Sequence, residues 1–202
     1  MEKKKIVLST QEELRIFMSP QRQKLLRVMG IAGRPMTAKE LADKMEISAS
    51  SAQLHIRKLA ALGLLEKDHT ERINGIIATY FRLTGAEVNI GLQKDDELSQ
   101  ERDAVAQNLL MRIYEGCRDT ARRLGKRKDF NAKDSLRKYG DMRTGIVYLR
   151  PEDAEKLADF ITSFTAEHEV PAEGAVPWEY AFIVHNTKAD EESRQCVKHM
   201  RR

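Results

Sequence analysis

Much is missing from this 202-residue sequence. It has two cysteines, Cys117 and Cys196, with no CxxC spacing, which argues for a reducing compartment and against a disulfide framework. No stretch is long and apolar enough to span a bilayer, so no membrane partner is expected. The basic start is followed only by Ile6-Val7-Leu8 before polar residues return, too short for the apolar part of a secretory signal. A cytoplasmic location is expected. Aromatics make up 6% of the chain. GxSxG, P-loop and GxGxxG patterns are all missing. With no catalytic set, an enzyme is not expected, nor is a cofactor or a metal.

What is present is charge, 33% of the residues, unevenly distributed. Residues 1–92 hold 15 Lys and Arg against 10 Asp and Glu, a net of +5; the remainder holds 20 against 21, a net of −1. The basic excess in the first part suits a polyanionic partner there. A soluble surface accounts for it equally well.

The first part reads as compact alternating elements. Ser19-Pro20 predicts a helix start, with Ser as the cap and Pro at the first helical position. Gly30 and Gly33 punctuate its end. Thr37-Ala38-Lys39-Glu40 is a capping box opening a second helix, whose buried stripe is Leu41, Ala42 and Met45. After the short turn Glu46-Ile47-Ser48, a third helix runs to Leu62, capped by Ser48 or Ser50 and stopped by Gly63. Leu64-Leu65 opens a strand, residues 68–75 read as a polar loop ending in the hairpin signal Asn74-Gly75, and Ile76 to Leu83 alternates as a returning strand.

On the third helix, about 100° per residue groups Ala52, Ile56 and Leu59 on one side. Ser50, Gln53, Leu54, Arg57 and Ala61 group on the other, flanked by Ser51 and Lys58. Hydroxyl and amide groups can bond base edges, Arg can grip guanine or phosphate, and Lys can bind phosphate. Leu54, in the middle of that face, either touches a thymine methyl or packs on the N-terminal segment.

Three stretches carry a family resemblance: Phe17-Met18-Ser19-Pro20-Gln21-Arg22, Leu41-Ala42-Asp43-Lys44-Met45, and the run from His55 to Leu65. Together with Ala78-Thr79-Tyr80-Phe81-Arg82-Leu83 they resemble ArsR-type winged-helix repressors over roughly residues 14–85. The resemblance implies a dimer on an operator of two-fold symmetry. Metal-sensing members carry cysteines on the helix before the reading helix; Leu41 to Met45 has none, which argues against metal sensing there.

The second part is set off by a polar link at 93–97. A helix is expected from Leu98 to Leu124, roughly 40 Å long at about 1.5 Å per residue. Its stripe includes Val105, Leu109, Ile113 and Cys117. Beyond it, strands are expected at Gly145–Leu149 and Tyr180–Val184 around a helix starting at Pro151, with Ala154, Leu157, Ala158, Ile161, Phe164 and His168 on one face. Cys196 and His199 have the spacing of half a zinc site, but with no partner pair a solvated tail is the plainer account. The basic run Arg122, Arg123, Lys126, Arg127 and Lys128 is either a solvated face or an extension of a phosphate track. Trp178 and Tyr180 beside Pro177 suit a satellite core or a ligand pocket.

The expectation is therefore an α+β chain. Residues 1–92 form an N-terminal winged helix-turn-helix; residues 93–202 hold a long helix and a small helix and strand domain for dimerisation and, as a candidate role, binding of a small-molecule effector. The expected double-stranded DNA contacts are Thr37, Ser48, Ser50, Ser51, Gln53, Leu54, Arg57 and Lys58, with His69, Thr70, Arg72 and Asn74 from the wing. Val105, Leu109, Ile113 and Cys117 are the expected homodimer contacts. The rival expectation is a winged-helix protein-interaction module without sequence-specific DNA binding.

Overall fold

The computed structural model describes residues 4–127 and 138–189. Its order is β1 (Lys5–Val7), α1 (Gln11–Met18), α2 (Pro20–Ala32), β2 (Met36–Thr37), α3 (Ala38–Met45), α4 (Ala49–Ala61), β3 (Leu65–Ile73), β4 (Ile76–Leu83), β5 (Glu87–Asn89), α5 (Ser99–Gly125) and α6 (Pro151–Glu167).

Local chemistry sets most of these boundaries. The Thr37 hydroxyl accepts from the Glu40 N–H at 3.1 Å, and the Glu40 carboxylate accepts from the Thr37 N–H at 2.9 Å, so the capping box is complete. Thr10 and Glu13 form a second one, opening α1. Ser19, expected to cap α2, makes no side-chain cap bond; Pro20 at the first position and Gly33 in the left-handed region at the end define that helix instead. Ser48 caps α4 by accepting from the Ser51 N–H at 3.1 Å. Between α3 and α4 the chain turns through Glu46, at φ 60°.

The sheet order β2-β4-β3 places the hairpin beside α4 as a wing. Here the expectation of a loop over residues 68–75 is corrected. β3 stays paired through Ile73, and the turn is Asn74-Gly75 alone, both at positive φ. The pairing slips between Lys67 and Thr70, so Asp68 and His69 together oppose Tyr80. A second, two-stranded sheet pairs β1 in parallel with β5, tying the start of the chain to the stretch after the wing.

One apolar core joins these elements. Leu14, Leu25, Met29, Leu41, Ile56 and Leu59 are buried in it. Val105 of α5 belongs to the same core, with Leu109 packed against it. The long helix thus spends the beginning of its stripe on the winged helix of its own chain. The 93–97 link is also anchored: Arg102, 1% exposed, forks its two terminal guanidinium nitrogens, Nη1 and Nη2, onto the Asp96 carboxylate.

Farther on, packing thins. The segments 145–149 and 180–184, expected as strands, carry no sheet pairing, and Tyr148 is 98% exposed. Their β-branched and aromatic residues favour strands, but a strand forms only with a partner edge, and none is supplied among the described residues. On α6 no residue is buried; Ala154, Leu157 and Ile161 are half-buried, and Phe160 and Phe164 are exposed. Cys196, His199 and Lys128 lie outside the described residues. Among the described residues no helix is long and apolar enough to cross a membrane.

Candidate nucleic-acid interface

Helix α4 is seated by one face. Ala52, Ile56 and Leu59 are fully buried, and each large apolar side chain of this kind adds about 1.5–3 kcal/mol when taken from water. α3 packs across α4 and braces it. His55 lies at the edge of the seated face. Its Nδ1 is buried without a hydrogen-bond partner, and burial, then the charges of Arg22 and Lys58, push its pKa down. Arg22 in turn donates to the carbonyls of Ile16 and Arg15, locking the end of α1.

The opposite face of α4 is open. Ser50, Leu54, Arg57 and Lys58 are exposed; Ser51 and Gln53 are half-exposed. Leu54 is 44% exposed and is not among the residues packed on the core. Arg57 and Lys58 make no ion pair among the described residues, leaving their donors available. The serines are less free. Ser48 Oγ is 3.0 Å from Ser50 Oγ and donates to Ser51 Oγ at 2.8 Å, so three hydroxyls form one local chain. Thr37 is half-buried and its hydroxyl is taken by the capping box.

The wing places its expected contacts unevenly. Thr70 and Arg72 lie on β3 opposite Thr79 and Ile77, and Asn74 alone sits at the tip. His69 stacks on the Tyr80 ring, centroids 4.3 Å apart, with its Nδ1 2.6 Å from Asp68 Oδ2. The bulge creates that contact and places an acidic neighbour on the imidazole. Arg82 is paired with Glu66 and Asp68. Arg72 remains as an exposed wing cation with no ion pair among the described residues. Absent from the expected set are the isoleucines around the turn: Ile76 is 74% exposed, with Ile73 and Ile77 also in solvent. Their signal was the apolar pair on the far side of Asn74-Gly75, which β-alternation alone counts as half core.

Of the expected dimer contacts, Val105 is buried in its own chain, and Leu109, Ile113 and Cys117 are half-buried. The outward apolar residues of α5 are Leu110, Met111 and Tyr114, on a neighbouring face. The basic residues Arg122, Arg123, Lys126 and Arg127 are exposed at the end of α5.

A helix-turn-helix domain family matches residues 17–68, the span from the end of α1 through α4 into the first strand of the wing. The chain thus carries an N-terminal helix-turn-helix domain, elaborated into a winged helix by β2, β3 and β4. No curated protein matches the chain. Among solved structures, a possible transcriptional regulator from Methanosarcina mazei Go1 is 11% identical, aligning 53% of this chain with 81% of that one at a TM-score of 0.31. The adhesin competence repressor AdcR from Streptococcus pyogenes is 17% identical over 77% of this chain and 83% of that one, with a TM-score of 0.32. Scores that low add nothing to the assignment, which rests on the family match and the fold.

Proposed function

We propose that the protein is a sequence-specific, double-stranded-DNA-binding transcriptional regulator, acting as a dimeric repressor in the manner of the ArsR-type proteins it resembles. The observation that carries this reading is the division of α4. Ala52, Ile56 and Leu59 fix the helix in the core, while Gln53, Leu54, Arg57 and Lys58 project from its other side. A helix so braced can enter the major groove, where Gln53 suits an adenine edge, Arg57 a guanine or a phosphate, and Leu54 a thymine methyl. Ser48 and Thr37 act as helix caps in this reading, and Arg72 is the backbone contact of the wing. The outward face of α5 at Leu110, Met111 and Tyr114 supports pairing of two copies, which would set their reading helices about 34 Å apart on successive groove faces. Selection from a random duplex library tests the proposal: enrichment of a motif with two-fold symmetry supports it, and a pool that stays random contradicts it.

One observation favours the rival reading, a protein-interaction module. The wing tip is apolar, with Ile73, Ile76 and Ile77 exposed, and β3 carries Glu66, Asp68 and Glu71 beside its cations. The open face of α4 outweighs this, because a protein-binding surface is usually centred on a cluster of apolar anchors, whereas this one sets a single apolar residue, Leu54, among hydroxyl, amide and cationic groups.

A further inference from the structure

Outside the reading face, the described residues hold another convergence of cations, at the seam between α2 and α5. Arg27 of α2 donates from Nε to Glu179 Oε1 at 2.7 Å and from Nη2 to Glu179 Oε2 at 2.8 Å, the parallel two-bond fork in which guanidinium matches carboxylate. One turn earlier on α2, Gln23 is held by its amide to the Phe17 carbonyl and accepts from Arg112 Nη1 of α5 at 3.1 Å. Arg112 is half-buried and its Nε is buried without a partner. The charges acting on it are those of Glu179 and Arg27. One turn later on α5 stands Gly116, where an added Cβ would lie 3.6 Å from Glu179 Oε2. Arg27 thus grips the Glu179 carboxylate beside Gly116, and one turn from each of these Gln23 ties Arg112 of α5 to α2.

That carboxylate comes from a segment with little else to hold it. Residues 176–184 are all exposed, including Trp178 at 55% and Tyr180. A second anchor is Pro171, which lies over the end of α2 where Gly33 has no Cβ to obstruct it. Arg27 alone bonds the anion, Arg112 on the neighbouring helix has its Nε unspent, and both Arg27 and Glu179 remain open to solvent. Such an arrangement is stable with Glu179 in place and equally complementary to a carboxylate that arrives from outside.

We propose that the α2–α5 seam is a binding site for a small carboxylate, with Glu179 as its internal occupant, and that a ligand carboxylate replacing Glu179 frees the segment around Trp178 from the winged helix. Arg27 supplies the fork, and Arg112 on the facing helix a further positive charge beside it. A tethered competitor lowers apparent affinity, because the ligand must outcompete a group whose effective concentration is on the order of millimolar. The consequence for gene control rests on the regulator reading above; the site itself does not.

The test uses the full chain, sodium acetate as the probe, and sodium chloride to hold ionic strength constant. Trp178 is the sole tryptophan, so its emission reports on the segment. Acetate is expected to change that emission saturably in the wild type. Arg27→Lys, which keeps the charge and loses the fork, should abolish the response. Glu179→Gln should show, without acetate, the emission of the acetate-saturated wild type. It should also bind labelled acetate roughly tenfold tighter by NMR line width, since the internal competitor is gone. Circular dichroism verifies that both variants fold, as substitutions at these solvent-accessible side chains should allow. An identical acetate response in wild type and Arg27→Lys, or no gain in affinity in Glu179→Gln, overturns the proposal. Tighter binding of inorganic phosphate than of acetate overturns the ligand class. All readouts are made without DNA, so failure of the chain to bind DNA would remove the regulator reading and leave this result standing.

Discussion

Arg102 is buried at the start of the long helix and spends its guanidinium fork on Asp96, six residues earlier in the link from the wing. The pair ties the start of α5 to the link that follows the wing. The Arg102 hydrogen bond, followed by the Leu98 N–H, holds the Asp96 carboxyl below its ordinary range. A carboxyl whose folded pKa is depressed contributes stability that is present above its unfolded value and lost as pH falls through the folded one. Asp96→Asn should therefore lower the melting temperature at neutral pH and remove part of the acid sensitivity below about pH 4. Thermal melts from pH 3 to pH 7 check this. A variant as stable as wild type across that range would show that the pair does not anchor the link.

Thr37 separates a cap from a DNA contact. Its hydroxyl belongs to the box with Glu40, so Thr37→Ala should cost about 1 kcal/mol of stability. Thr37→Ser should keep that stability, and DNA affinity at a temperature where all are folded should be equal. Denaturant melts and a binding isotherm measure the two quantities separately.

The two faces of α4 should respond oppositely to truncation. Ile56 is fully buried, and Ile56→Ala should cost about 2–5 kcal/mol by lost transfer energy and the cavity left behind. Leu54→Ala on the exposed face should leave stability within about 0.5 kcal/mol of wild type. Its effect should appear in sequence preference, measured by selection with the variant. Equal destabilisation by the two would mean that Leu54 is seated in a surface the single chain does not show.

These contrasts also mark what was legible in the sequence. The capping box at Thr37, the stop at Gly33, the turn at Asn74-Gly75 and the two faces of α4 follow from local rules, and local rules are visible in a single chain. The same rule would have found α1, because Thr10-Gln11-Glu12-Glu13 has the spacing of the box at Thr37. The strands β1 and β5 are too short to show a period, and their pairing joins residues far apart in sequence. β3 was hidden for another reason. From Glu66 onward both of its faces are in solvent, so no apolar alternation distinguishes a paired strand from a polar loop. The segments 145–149 and 180–184 show the reverse case, strand-like composition with no edge to join. The anchoring of Arg102 and the fork between Arg27 and Glu179 depend on tertiary geometry, which no spacing in the sequence encodes.

Pairing of two chains should depend on the outward face of α5. Met111→Glu and Tyr114→Glu together place two charges among Leu110 and its neighbours without touching Val105, which serves the intrachain core. Sedimentation should show a folded monomer with much weaker binding to a two-fold site. An unfolded second part would place this face inside the chain, and a dimer with unchanged affinity would place the contact elsewhere.

The central claim is that α4 reads DNA, and the most direct measurement is fluorescence anisotropy of a selected duplex and a random one, titrated with wild type, Arg57→Ala and Lys58→Ala over a range of salt. Both side chains are exposed and outside the core, so the variants should melt with wild type. The account predicts weaker binding for each, by about 1–3 kcal/mol on the selected duplex where Arg57 meets a base. For a residue that neutralises a phosphate, it predicts a salt slope shallower by about one. Affinities and slopes equal to wild type for both variants on both duplexes would contradict it.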